Sequence, residues 1–115
     1  MHGGFMSGSD LFTGTLDILI LRTLLAGPLH GYAIGKSLRD RSDGVLSVEE
    51  GALYPALHRL ADRGLLVAEW GRTDTGRRAK FYSLTPPGLE YLETHAARWL
   101  EYSGAVAGIL SDEPR

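Results

Sequence analysis

Apolar residues recur along this chain at helical spacing in four stretches and in strand-like runs in two. Thr15 to Ala26 is almost continuously apolar through Leu16, Ile18, Leu19, Ile20, Leu21, Leu24 and Leu25. It predicts a helix capped by Thr15, with Asp17 in its first turn, ended by Gly27-Pro28. A helix apolar on so many sides needs cover on more than one face. His30 to Arg41 predicts a second helix, with Tyr32, Ala33, Ile34 and Leu38 inward and Lys36, Arg39 and Arg41 outward. Tyr32 reads as a core residue. Ser42-Asp43-Gly44 breaks that helix, and Val45, Leu46 and Val48 form an extended link.

The third stretch is the most informative. Leu53, Leu57, Leu60 and Ala61 form an apolar stripe, and Tyr54, His58, Arg59 and Arg63 occupy the opposite face. Ser47 or the residues after it cap this helix, and Glu49 and Glu50 complement its dipole. Pro55 is expected at or near the first turn, where a missing N–H is tolerated. The helix stops at Gly64 and runs straight into the strand Leu65 to Trp70. Gly71 to Gly76 reads as a loop, and Lys80 to Thr85 as the returning strand. The hairpin tip carries Arg77, Arg78 and Lys80, three cations within four residues. A helix with a packed back and a front of Tyr, His and Arg is suited to a groove of DNA.

Thr85 is expected to cap a last helix from Pro86-Pro87 to about Leu110. Leu89, Leu92, Ala96, Trp99, Ser103, Val106 and Leu110 fall at alternating steps of three and four, a heptad seam. Its simplest cover is the same helix of a second copy. The fold class is therefore mainly α with a small β-hairpin: a winged helix-turn-helix followed by a dimerisation helix. The expected organisation is a flexible leader over 1–12, the DNA-binding domain over 13–85, the dimerisation helix over 86–111 and a frayed tail over 112–115.

The 115 residues carry a formal charge of −2, which by itself argues against a nucleic-acid partner. The distribution reverses that reading. Residues 22–80 hold ten Lys and Arg against seven Asp and Glu, while both flanks are acidic. A net +3 is small for a DNA binder, and two copies side by side double it. The sequence has no cysteine, which excludes disulfides and thiol catalysis, removes the usual structural zinc ligands and fits a cytoplasmic protein. The four histidines lack metal-ligand spacing. No apolar run is long enough for a membrane helix, and the start lacks the pattern of a signal peptide. No phosphate loop, nucleophile–base pair or metal set supports an enzyme, and no cofactor is expected.

Four stretches in this order resemble the PadR family of transcriptional regulators, in its short form. They are Gly14 to Leu21, His30-Gly31-Tyr32-Ala33-Ile34, Gly51 to Leu60, and Arg78 to Thr85. The third is the most specific. The resemblance implies a two-fold dimer on double-stranded DNA at a pseudo-palindromic operator, usually acting as a repressor. It places residues 49–59 in the major groove, with Gly51, Ala52, Tyr54, Pro55, His58 and Arg59 as DNA-binding residues. It places Arg72, Arg77, Arg78 and Lys80 on the wing, near the backbone or the minor groove. Leu89, Leu92, Ala96, Trp99, Val106 and Leu110 become the dimer interface. Trp99 falls where some members stack planar ligands at the dimer centre, so it is either a packing residue or part of a slot for a planar aromatic effector. The competing reading is a winged-helix module that docks protein and not DNA, against which the basic wing argues.

Overall fold

The computed structural model describes residues 8–112, with side chains from residue 14. The elements are α1 (Gly8–Thr23), a 3-10 turn (Leu24–Ala26), β1 (Leu29–His30), α2 (Gly31–Arg41), α3 (Glu50–Asp62), β2 (Leu66–Arg72), β3 (Arg78–Leu84) and α4 (Pro86–Ser111). The fold is four helices and a small antiparallel sheet, as the pattern predicts; β2 runs on through Gly71 and Arg72 of the expected loop, β3 already starts at Arg78, and three further differences stand out.

First, α1 begins at Gly8, so residues 8–12 of the expected leader are helical, and residues 1–7 lie outside the described residues. Thr15 therefore sits inside the helix and does not cap it. Second, the sheet has three strands in the order β1-β3-β2. Leu29 pairs with Tyr82 and His30 with Phe81. Two residues are too few to show a period, so this strand exists only through its partner. Third, Pro55 lies in the second turn of α3, five residues past its first residue. It is exposed, so the carbonyl left without a helical donor faces water.

Local chemistry sets the helix ends. At the end of α3, the Leu65 N–H donates to the Leu60 carbonyl at 3.0 Å and the Gly64 N–H to the Ala61 carbonyl at 3.0 Å. Gly64 has φ 75°, the left-handed residue that this C-terminal motif requires. Leu65 and Leu60 are both buried, and the chain turns directly into β2. The Thr85 hydroxyl accepts from the Gly88 N–H at 3.0 Å and donates to the Gly64 carbonyl at 2.7 Å. The start of α4 is thereby tied to the end of α3.

The core joins Leu16, Ile20 and Leu21 of α1, Ile34 and Leu38 of α2, Leu53, Ala56, Leu57 and Leu60 of α3, Tyr82 of β3 and Leu92 of α4. The α3 stripe is thus buried as expected, and Tyr54 and His58 on its opposite face stay exposed. Helix α4, 26 residues and roughly 39 Å long, runs well beyond this core. Among the described residues no helix is long and apolar enough to cross a membrane.

Candidate nucleic-acid interface

The exposed face of α3 and the wing formed by β2 and β3 enclose a cleft of about 890 Å³. Tyr54 and His58 of α3 form one wall. Arg77, Arg78 and Lys80 of the wing form the other, and Lys36 of α2 stands at the edge. The cleft is therefore cationic and aromatic. Glu50 and Asp74 also line it. Among the described residues the ion pairs are Lys36–Asp40 at 2.6 Å and Arg59–Asp17 at 2.7 Å. The wing cations thus face the cleft without a paired carboxylate. The Lys36 hydrogen bond holds the Asp40 carboxyl below its ordinary range. At the cleft floor, burial pushes the Tyr82 phenol above its ordinary value, with a smaller contribution from Tyr54.

The α2–α3 packing fixes the place of Tyr54. A Cβ added at Gly31, the first residue of α2, would lie 2.6 Å from the Tyr54 hydroxyl. The ring packs against the start of α2, and a side chain at Gly31 would displace it. Gly51 and Pro55 are exposed on the same helix and Ala52 is half-buried.

The other expected site residues are placed differently. Arg59 does not line the cleft: its Nη2 donates to Asp17 Oδ1 on α1. Asp17, expected to serve the dipole of α1, is only 4% exposed and is the buried partner of that pair. Arg72 folds into the hairpin, where Nη1 donates to the Gly76 carbonyl at 2.9 Å. Arg63 turns to α4, its guanidinium 5.0 Å from the Tyr91 ring centre.

Two exposed aromatic rings, Tyr32 and Trp70, also line the cleft. Tyr32, expected in the core, is 66% exposed and lines the cleft. It occupies the first turn of α2, past the end of the buried stripe, where a tyrosine is not forced inward. Trp70 read only as a strand residue. It pairs with Lys80 across the hairpin and faces the cleft. Counting outward from the wing turn gives that register, so the signal was in the sequence.

The seam of α4 divides in two. Leu92, expected at a dimer interface, is 4% exposed and belongs to this chain's own core, where α1 packs on α4, whereas Leu89 at the start of the seam is exposed. Ala96 packs against the same core. The Trp99 indole N–H donates to Thr15 Oγ1 of α1 at 3.0 Å. Beyond Trp99, the apolar Leu100, Val106, Ile109 and Leu110 are exposed. A smaller apolar groove of about 250 Å³ runs between α1 and α4, lined by Ile18, Leu19, Ala96 and Trp99 among others.

A three-helix core with a basic wing, an exposed third helix and a long trailing helix defines a winged helix-turn-helix regulator. Residues 20–94 match the transcriptional regulator PadR-like family, and the chain belongs to that family. It is thus a transcriptional regulator and not an enzyme. It is 31% identical over 96 residues to the uncharacterized protein X of Lysinibacillus sphaericus, covering 84% of this chain and 88% of that one. Its structure is similar to that of a transcriptional regulator from Clostridium thermocellum, with a TM-score of 0.77 and 30% identity over 90% of this chain and 99% of that one. It is also similar to a PadR family transcriptional regulator from Eggerthella lenta, with a TM-score of 0.72 and 34% identity over 91% and 89% of the two chains.

Proposed function

We propose that the chain is a homodimeric repressor that binds a pseudo-palindromic operator in double-stranded DNA. The single observation that carries this reading is the cleft, which brings Tyr54 and His58 of α3 within one concavity of the unpaired wing cations Arg77, Arg78 and Lys80. In this reading Gly51, Ala52, Tyr54, Pro55 and His58 enter the major groove, and the wing holds the flanking phosphates. Arg59 contributes through its pair with Asp17, which fixes α3 on α1, and Arg72 by closing the wing turn.

The second copy covers the exposed half of α4. Leu100, Val106, Ile109 and Leu110 leave an apolar strip that the monomer does not bury. Such a dimer sets two α3 helices in successive major grooves, about 34 Å apart. A signal then acts by changing the angle between the two α4 helices. The apolar groove beside Trp99 supports a planar aromatic effector there, one that releases DNA by favouring a dimer of different spacing. The domains follow: residues 13–85 bind DNA, residues 86–111 dimerise, and the protein acts in the cytoplasm.

Salt tests the DNA reading against the protein-docking one. Affinity for a duplex falls steeply with salt, and Arg77→Ala with Arg78→Ala flattens the logarithmic slope by about two. An unchanged slope in the double variant removes the wing from the interface.

A further inference from the structure

We propose that Trp70 is a positioning residue of the wing: its indole face holds Arg78 and Lys80 at the cleft, aimed at one stretch of phosphate backbone. The inference rests on the DNA-binding reading above and goes beyond it.

Three observations carry it. The Arg78 guanidinium carbon stands 4.2 Å from the centre of the Trp70 ring, and the Lys80 ammonium 5.7 Å from it. Both distances lie within the range in which a ring quadrupole attracts a cation. The sheet register sets up this geometry. Trp70 is directly opposite Lys80, and Arg72 is opposite Arg78. Because side chains alternate across a strand, Arg78 and Lys80 share the face of Trp70, Lys80 directly across from it and Arg78 on the diagonal. Finally, Trp70 is 57% exposed and lies outside the buried core, so a large aromatic surface is left beside water at the cleft wall. A tryptophan needed only for packing is expected to be covered. This one is covered by two cations instead.

The physical consequence is pre-organisation. A free Lys or Arg loses up to about 2 kcal/mol of rotamer freedom when a phosphate immobilises it. A cation already resting on an indole has lost part of that freedom before DNA arrives. The ring does not neutralise the charge, as a carboxylate would, so the full attraction for phosphate remains. Trp70 also holds the two side chains on the cleft side of the hairpin, where Tyr54 and His58 stand opposite. A wing with cations but no shelf would keep its charge and lose its aim.

The test is a double-mutant cycle on the full chain, read by anisotropy of a fluorescein-labelled duplex of mixed sequence at low salt. Such a duplex is suitable because phosphate contacts are independent of sequence. Trp70→Ala is expected to weaken binding about fivefold, the size of one to two exposed cation–π contacts. Trp70→Leu keeps apolar bulk without a ring quadrupole and is expected to match the alanine. Trp70→Phe keeps a ring and is expected to recover part of the loss. In the background of Arg78→Ala with Lys80→Ala, Trp70→Ala is expected to have no further effect, because the residue acts through those two cations. Thermal melts of all variants are expected to stay close to the parent, since the side chain is outside the core. Wild-type affinity in Trp70→Leu, or a full fivefold loss that persists without Arg78 and Lys80, overturns the shelf and leaves the DNA reading standing. Absence of any duplex binding by the wild-type chain overturns both.

Discussion

Arg59 of α3 donates from Nη2 to Asp17 Oδ1 of α1 at 2.7 Å, across 42 positions of sequence. Asp17 is buried while the arginine is partly open to solvent. The pair therefore has an asymmetric energetic role. Removing the arginine strands a carboxylate in the core, and removing the carboxylate leaves an arginine that water can still reach. Asp17 stands two residues from Thr15, which bonds Trp99. One helix thus contacts both the third helix and the long α4.

Arg59→Ala is expected to cost about 1–3 kcal/mol of stability, less than the roughly 3–5 kcal/mol of a fully buried pair because the arginine is partly solvated. Asp17→Asn, which removes the buried charge, is expected to cost less. Urea unfolding of both variants checks the order. Equal or reversed costs contradict the asymmetric role of the pair.

Gly88→Ala is expected to be among the most damaging small substitutions. The added Cβ would lie 2.1 Å from the Leu65 backbone oxygen, and that carbonyl also accepts from the Thr85 N–H. Backbone cannot give as a side chain can, so α4 must shift away from the turn between α3 and β2. The expected loss is about 3 kcal/mol, seen as a fall in melting temperature on the order of 10 °C.

Gly31→Ala meets a softer obstacle, the far end of the Tyr54 side chain. The ring can swing away, so the stability cost is expected to be about 1 kcal/mol. Binding pays the larger penalty, because Tyr54 leaves its place on the cleft wall. Duplex affinity is expected to fall at least about tenfold, one good contact in free energy. A destabilised variant with unchanged duplex affinity would show that the ring does not touch DNA.

Val106→Glu with Leu110→Glu places charge on the exposed half of the α4 seam, outside the chain's own core. Sedimentation is expected to find a monomer that is still folded, with weaker operator binding. Leu92→Ala differs in kind, since Leu92 is a core residue, and is expected to cost about 2–5 kcal/mol of stability first. A double glutamate variant that remains dimeric would move the interface elsewhere.

The parts legible in the sequence are those set by local chemistry. The stripe Leu53, Leu57 and Leu60, the stop at Gly64, the Thr85 cap and the wing cations all declare themselves within one helix turn or one hairpin. What was not legible depends on distant partners. Strand β1 is two residues that become a strand only beside Tyr82 and Phe81. Arg59 looked like a surface cation because its neighbours in sequence do not include Asp17. Leu92 lies on a regular seam, and periodicity does not say which turns of that seam α1 already covers. Tyr32 carried an apolar-enough ring to be drawn inward, but the first turn of α2 opens on the cleft. Sequence reading gives the α3 and wing residues as two separate features. The structure adds that they form two walls of one concavity, with the Trp70 ring beside Arg78 and Lys80 on the wing wall.

The most direct measurement of the central claim is fluorescence anisotropy of the chain with the DNA upstream of its own gene and with a scrambled duplex of equal length, across a salt series. Tighter binding to the upstream DNA that persists at moderate salt, with affinity for both duplexes falling as salt rises, is the predicted result. No binding to either duplex at the lowest salt would contradict a DNA-reading function and favour a winged helix that docks protein.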